Sequence, residues 1–237
     1  MTYITGVCLI LLSFLSTLTS TRSLTITMSA SAATKVATRA VGKLKPGNTA
    51  LLLCDMQERF RPLIWNMETV VQTCRYMTGV AKAVGVPIVA TQQYTKVFGT
   101  TLSDCFASEE ELAAVPIYEK KLFSMLTTEV QEKLTQLNKD SYIIVGIEAH
   151  VCVTQTCLDL LEQGADVHVV CDGVSSQQPL DRQVALQRLQ QAGAWLTTAQ
   201  QAAFMLMQSA EHENFKTISK LTVEHMKLPN AFNDALK

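Results

Sequence analysis

The chain has almost no charge imbalance and none of the common glycine-rich phosphate cradles. Its 20 Lys and Arg against 21 Asp and Glu leave a formal net charge of -1. No bulk basic field therefore draws it onto nucleic acid or an anionic membrane, and a small molecule or another protein is the expected partner. Neither GxGxxG nor GxxxxGKS occurs, so no nucleotide or other cofactor is expected. The seven cysteines are odd in number, without CxxC spacing or a clustered histidine partner. This composition speaks against a disulfide framework or a zinc site and for a reducing compartment. Internal repeats are absent, and 237 residues with 48% hydrophobic and 17% charged side chains fit one globular domain with a sizeable core.

Acidic residues are missing from the entire N-terminal stretch, the first being Asp55. An apolar run at residues 6–18 is too short for a membrane span of about 20 residues and suits a secretory h-region. From Met28 onward, Lys35, Arg39, Lys43 and Lys45 are spaced among Ala, Ser and Thr, a composition like that of an organellar presequence. A mitochondrial presequence is the expectation, with cytoplasmic and secreted forms as alternatives and Met28 as an alternative start. Residues 1–45 are read as targeting-like or disordered, 46–215 as the domain and 216–237 as a C-terminal tail. No stable membrane insertion of the mature domain is expected.

After Pro46-Gly47-Asn48 short apolar runs alternate with longer segments of helical period. The runs, at residues 50–54, 87–91, 141–145, 167–171 and less clearly 194–197, do not alternate apolar with polar, as expected of strands buried on both faces. Residues 67–84, 152–163, 180–192 and 199–210 carry apolar side chains at i, i+3 and i+4, and three of these segments end on Gly85, Gly164 and Gly193, as helices do. Strands alternating with helices predict right-handed βαβ units and a doubly wound, three-layer α/β sandwich. In such sheets, ligands bind outside the carboxyl ends of the strands, where strand order reverses.

Four residue groups stand at those ends: Asp55-Met56-Gln57, Gln92-Gln93-Tyr94, Glu119-Lys120-Lys121, and the turn that leads to Cys152. A cysteine at the start of a helix meets unpaired backbone N–H groups and a partial positive charge, which favour the thiolate and can hold an oxyanion on whatever it attacks. Asp55 follows Leu51-Leu52-Leu53-Cys54 and needs a buried partner. It is either a turn or capping residue or the base that takes the thiol proton. On spacing alone Lys120 and Lys121 are equivalent, and either serves as well on a solvated surface. His150 stands two residues from Cys152, about 200° around a helix axis, so it is read as a rim residue or a structural hydrogen-bonding group and not as the base.

Asp55 in Asp-x-Gln, Lys120 in Lys-Lys-Leu-Phe-Ser, and Cys152 in Gly-Ile-Glu-Ala-His-Val-Cys-Val together resemble, in order, the isochorismatase-like cysteine hydrolases. The form is closest to the animal isochorismatase domain-containing proteins, and the likeness runs over residues 48–206. The resemblance implies a central, mostly parallel six-stranded sheet, common homo-oligomers and a catalytic triad of Asp55, Lys120 and Cys152. It selects Lys120 over Lys121, because the family's lysine stands four residues before the serine. It also implies an oxyanion turn at Ile147, Glu148 and Ala149 with a non-proline cis peptide near Ile147-Glu148. Gln57, Phe60, Gln92, Tyr94 and His150 are the candidate substrate contacts. Two departures narrow the chemistry. Gln92-Gln93-Tyr94 replaces the Asp and His metal ligands of the family's nicotinamidases, so no metal is expected. True isochorismatases cleave a vinyl ether without the cysteine, so Cys152 points to an amide, ureido or carbamoyl substrate.

Overall fold

In the computed structural model, which describes residues 41–233, each apolar run forms a strand, and the central strands are buried on both faces. The strands are β1 (Thr49–Cys54), β2 (Ile88–Gln93), β3 (Ile117–Lys120), β4 (Ser141–Ile147), β5 (Asp166–Ser175) and β6 (Trp195–Thr197). They form one sheet in the order β3-β2-β1-β4-β5-β6, and every pair is parallel. The helices are α1 (Met67–Ala83), α2 (Thr95–Phe98), α3 (Glu109–Ala113), α4 (Thr128–Leu137), α5 (Thr154–Glu162), α6 (Pro179–Ala192), α7 (Ala199–Met207) and α8 (Phe215–Met226).

The period-2 alternation of a strand divides the core into two layers. Leu51 and Leu53 face Val70, Cys74 and Met77 of α1, together with α7 and Ile218 of α8. Ala50, Leu52 and Cys54 face the opposite layer, with Val130 of α4, Cys157 and Leu160 of α5 and Leu189 of α6. Local signals set the helix ends: Thr127 and Thr198 accept the Val130 and Gln201 N–H groups, and Pro179 opens α6. This is the expected three-layer sandwich, with a sheet that is parallel throughout.

Several boundaries differ from the sequence reading. β2 runs on to Gln93 and β5 to Ser175, and the cysteine-bearing helix starts at Thr154. Residues 149–153 form a π-helical turn before it, so Cys152 lies in the turn. Residues from 216 onward, read as a tail, largely form α8, whose Ile218 is fully buried and whose Thr222 hydroxyl meets the Tyr76 hydroxyl at 2.9 Å. The amphipathic spacing of Ile218, Leu221 and Thr222 places that helix on α1. Of residues 1–45, the targeting features up to residue 40 lie outside the described residues. Leu44, by contrast, is buried in the core. No helix among the described residues is long and apolar enough to cross a membrane.

Candidate active site

β1 lies between β2 and β4. The chain runs outward from β1 through β2 to β3 and then returns to its other side as β4, so strand order reverses between β1 and β4. The crevice expected at such a point has Asp55 directly after β1 and Cys152 in the turn after β4. Gly146 makes this approach close. Its φ is +118°, and a Cβ there would stand 2.1 Å from the Cys54 carbonyl oxygen, which no other residue tolerates. The backbone of Asp55 is itself left-handed, with φ 49°, an uncommon conformation for a residue other than glycine.

Asp55 is 1% exposed and Lys120 3%. The Lys120 ammonium donates to Asp55 Oδ2 at 2.7 Å, to Gln93 Oε1 at 2.6 Å, and to the carbonyls of Leu122 and Phe123 at 3.1 and 2.9 Å. The Thr91 hydroxyl donates to the other Asp55 oxygen at 2.8 Å. Burial works against the charge on Lys120, but Cys54, Asp55 and Cys152 outweigh it and hold the amine above its ordinary range. The lysine is therefore a fixed cation near neutral pH, ion-paired with the Asp55 carboxylate.

Cys152 is 7% exposed, and its carbonyl accepts the Thr156 hydroxyl at 2.7 Å. A second thiol, that of Cys54, lies in the same core layer. Burial, the Cys152 thiol and the Asp55 charge push the Cys54 thiol well up, with Lys120 opposing. Cys54 thus stays protonated and fully enclosed, whereas Cys152 keeps an opening to solvent.

The other candidates take distinct places. The Ile147–Glu148 peptide is cis. The Glu148 carboxylate turns away to accept the Gln177 backbone N–H and side-chain amide at 3.0 and 3.2 Å. Ala149 offers its carbonyl to the Thr154 hydroxyl at 2.6 Å. His150 Nδ1 meets Ser176 Oγ at 3.0 Å, and its Nε2 lies 3.8 Å from Asp181, a structural position at the rim. Gln57 is fully buried, accepting the Gln93 N–H and donating to the carbonyls of Gln93 and Gly99. Gln92 points to the opposite face of β2, donating to Thr101 and accepting the Thr95 hydroxyl. Tyr94 is 38% exposed under the Lys121 ammonium, 5.1 Å from the ring centroid. Phe60 stacks on Phe98 at 4.6 Å. The sequence reading named Gln93 only within the strand-end group Gln92-Gln93-Tyr94 and made none of Thr91, Gln93 and Cys54 a site candidate. Thr91 and Gln93 carry a readable signal once β2 is known to reach Gln93, since residues two apart share a face.

The Isochorismatase domain model matches residues 49–201. The chain belongs to the isochorismatase family. The domain is accordingly an isochorismatase-like hydrolase domain, similar to the animal proteins that the motifs resembled. Isochorismatase domain-containing protein 2 of Bos taurus is 40% identical over 185 residues, covering 78% of this chain and 88% of that protein. The secreted isochorismatase effector Isc1 of Phytophthora sojae is 43% identical over 204 residues, 85% of this chain and 97% of its own. Among solved structures, the MAR1 ribonuclease from Caenorhabditis elegans superposes with a TM-score of 0.71 at 38% identity, over 76% of this chain and 92% of that one.

Proposed function

We propose that this isochorismatase-family chain is a metal-independent cysteine hydrolase of a small amide, ureido or carbamoyl compound. The observation that carries the reading is the buried Lys120–Asp55 pair at 2.7 Å, set at the switch point beside the Cys152 thiol. Asp55 takes the thiol proton, and the Cys152 sulfur adds to the substrate carbonyl carbon. The resulting oxyanion is held by backbone N–H groups of the turn over Ile147, Glu148, Ala149 and Cys152. Collapse breaks the carbon–nitrogen bond, and the leaving amine takes the proton from Asp55. Water, deprotonated by Asp55, then attacks the thioester and releases the acid and the thiol. Lys120 stays protonated and keeps the aspartate and the developing thiolate together. The homo-oligomer and the mitochondrial destination belong to this proposal as well.

Two observations favour a second reading, a catalytically weak member that acts by binding a partner. Cys152 is only 7% exposed. Clefts of 390 Å³, at Thr78, Val86 and Phe106, and of 470 Å³, at Trp65, Arg182 and Phe232, are not lined by the triad. A ribonuclease activity, named for the Caenorhabditis relative, has less support in this chain. The cation of the site spends its protons on Asp55, Gln93 and two carbonyls, where a phosphate chain calls for exposed cations.

The test is turnover of a panel of small amides, ureides and carbamoyl compounds by the full chain and by Cys152→Ala, with the fold followed by circular dichroism. The triad reading expects turnover of a panel member that is lost in a folded Cys152→Ala. Retained turnover refutes the nucleophile. In parallel, the iodoacetamide labelling rate at each cysteine should be highest at Cys152 and should fall sharply in Asp55→Asn. A Cys152 that labels no faster than the part-exposed Cys171 favours the partner-binding reading.

A further inference from the structure

Asp55 and Lys120 come from strands that are not neighbours. β2 lies between β1 and β3, so the Lys120 side chain reaches its aspartate across the end of β2. The β2 residue paired in register with Lys120 is Gln93. Its side chain shares a face with Thr91, which already holds Asp55 Oδ1.

From this geometry we infer that Gln93 is a positioning residue: a neutral acceptor that holds the Lys120 ammonium over Asp55 and beside Cys152 without adding a second negative charge. The inference rests on the triad reading proposed above. Three contacts fix the orientation of Gln93. Its Nε2 donates to the Lys121 carbonyl at 3.0 Å, which turns Oε1 toward Lys120. Its backbone N–H donates to Gln57 Oε1 at 2.7 Å, and its carbonyl accepts Gln57 Nε2 at 3.0 Å. Gln57 is anchored in turn on the Gly99 carbonyl at 2.8 Å. At 9% exposure Gln93 is shut off from solvent, so water does not readily replace it.

The chemistry of the position is specific. A glutamate would put two carboxylates on one ammonium and turn its field away from the thiol. An asparagine is one methylene short of the 2.6 Å contact. An apolar residue of equal length leaves Lys120 one acceptor poorer, free to lean toward the Leu122 and Phe123 carbonyls. Gln93 therefore acts through Lys120 on the thiolate, and no contact with substrate is required of it.

The experiment measures iodoacetamide labelling of Cys152 from pH 6 to pH 10 in the full chain, in Gln93→Met and in Gln93→Glu, with folding checked by thermal melting. A thiol displaced by one unit loses about tenfold in thiolate at neutral pH. Gln93→Met should therefore label about tenfold more slowly at pH 7 and recover by pH 10. Gln93→Glu, with its added charge, should be slower still at pH 7. In a Lys120→Met background, Gln93→Met should add no further slowing. A folded Gln93→Met with the unmodified pH dependence, or equal slowing with and without Lys120, overturns the inference. If Gln93→Met does not fold, an unmodified pH profile in Gln93→Glu overturns it instead. Should the unmodified chain itself label Cys152 no faster than Cys171, the triad reading falls and takes this inference with it. A fast wild-type thiol that ignores Gln93 sinks the inference alone.

Discussion

Lys120→Met removes the cation from a pair whose side chains are 0% and 2% exposed and 2.7 Å apart. The substitution nearly preserves shape, so its cost is electrostatic: Asp55 Oδ2 is left buried without a counter-charge, and the Gln93 side-chain oxygen loses its donor. Breaking a buried pair on one side costs roughly 3–5 kcal/mol, against a total stability of about 5–15 kcal/mol for a domain. For a domain of this size that lowers Tm by roughly 6–20 °C, at about 2–4 °C per kcal/mol. The assay is urea unfolding at pH 8, followed by tryptophan fluorescence and extrapolated linearly to water. Two further measurements separate charge from packing. In Asp55→Asn/Lys120→Met no charge is stranded, and the Thr91 hydroxyl still finds an acceptor, so the double variant should be more stable than Lys120→Met alone. At pH 5 the stranded carboxylate of the single variant can take up a proton, which narrows its deficit relative to pH 8. A Lys120→Met chain within about 1 kcal/mol of the parent, or a double variant less stable than the single, would refute this account of the site.

Two other consequences can be measured on the same chain. His168 in β5 is 1% exposed with neither ring nitrogen hydrogen-bonded, and burial, partly opposed by Asp166, pushes it down to about 4. The unfolded chain therefore binds that proton first as pH falls. The group adds no penalty above about pH 6.5 and costs about 3 kcal/mol once the pH has fallen through about 4. His168→Leu should remove this part of the acid dependence, and an unchanged difference in urea stability between pH 7 and pH 4.5 would contradict it. At Gly146 the steric demand is absolute, because a new Cβ would lie 2.1 Å from the Cys54 carbonyl oxygen at φ +118°. Gly146→Ala should lose about 3 kcal/mol or more and slow labelling of Cys152, whereas equal stability in urea would mean that β1 and β4 separate easily there.

Asp55 and Cys152 stood out in the sequence because each follows a strand dense in apolar residues, whereas Lys120 ends the short β3 and was chosen over Lys121 only by the family resemblance. A parallel sheet buried on both faces makes such strands conspicuous, and its ligands gather at their ends. Cys54 was hidden for the same reason: in Leu51-Leu52-Leu53-Cys54 a thiol reads as one more small apolar side chain. Gln93 was hidden by an error of two residues. With β2 read as ending at Thr91, the facing of Gln92 and Gln93 is undefined, and a strand residue displaced by one position points to the other layer. Gln92 was accordingly expected at the substrate, but its amide bonds to Thr101 on the far face, while Gln93 meets Lys120. Strand order was the other missing quantity. Chain order alone leaves Asp55 and Lys120 as ends of two strands with a third between them in sequence. Only the observed order, with β2 lying physically between β1 and β3, shows that the lysine must span a neighbour. A side chain that spans a strand end depends on what that strand presents there, and β2 presents Thr91 to Asp55 and Gln93 to Lys120.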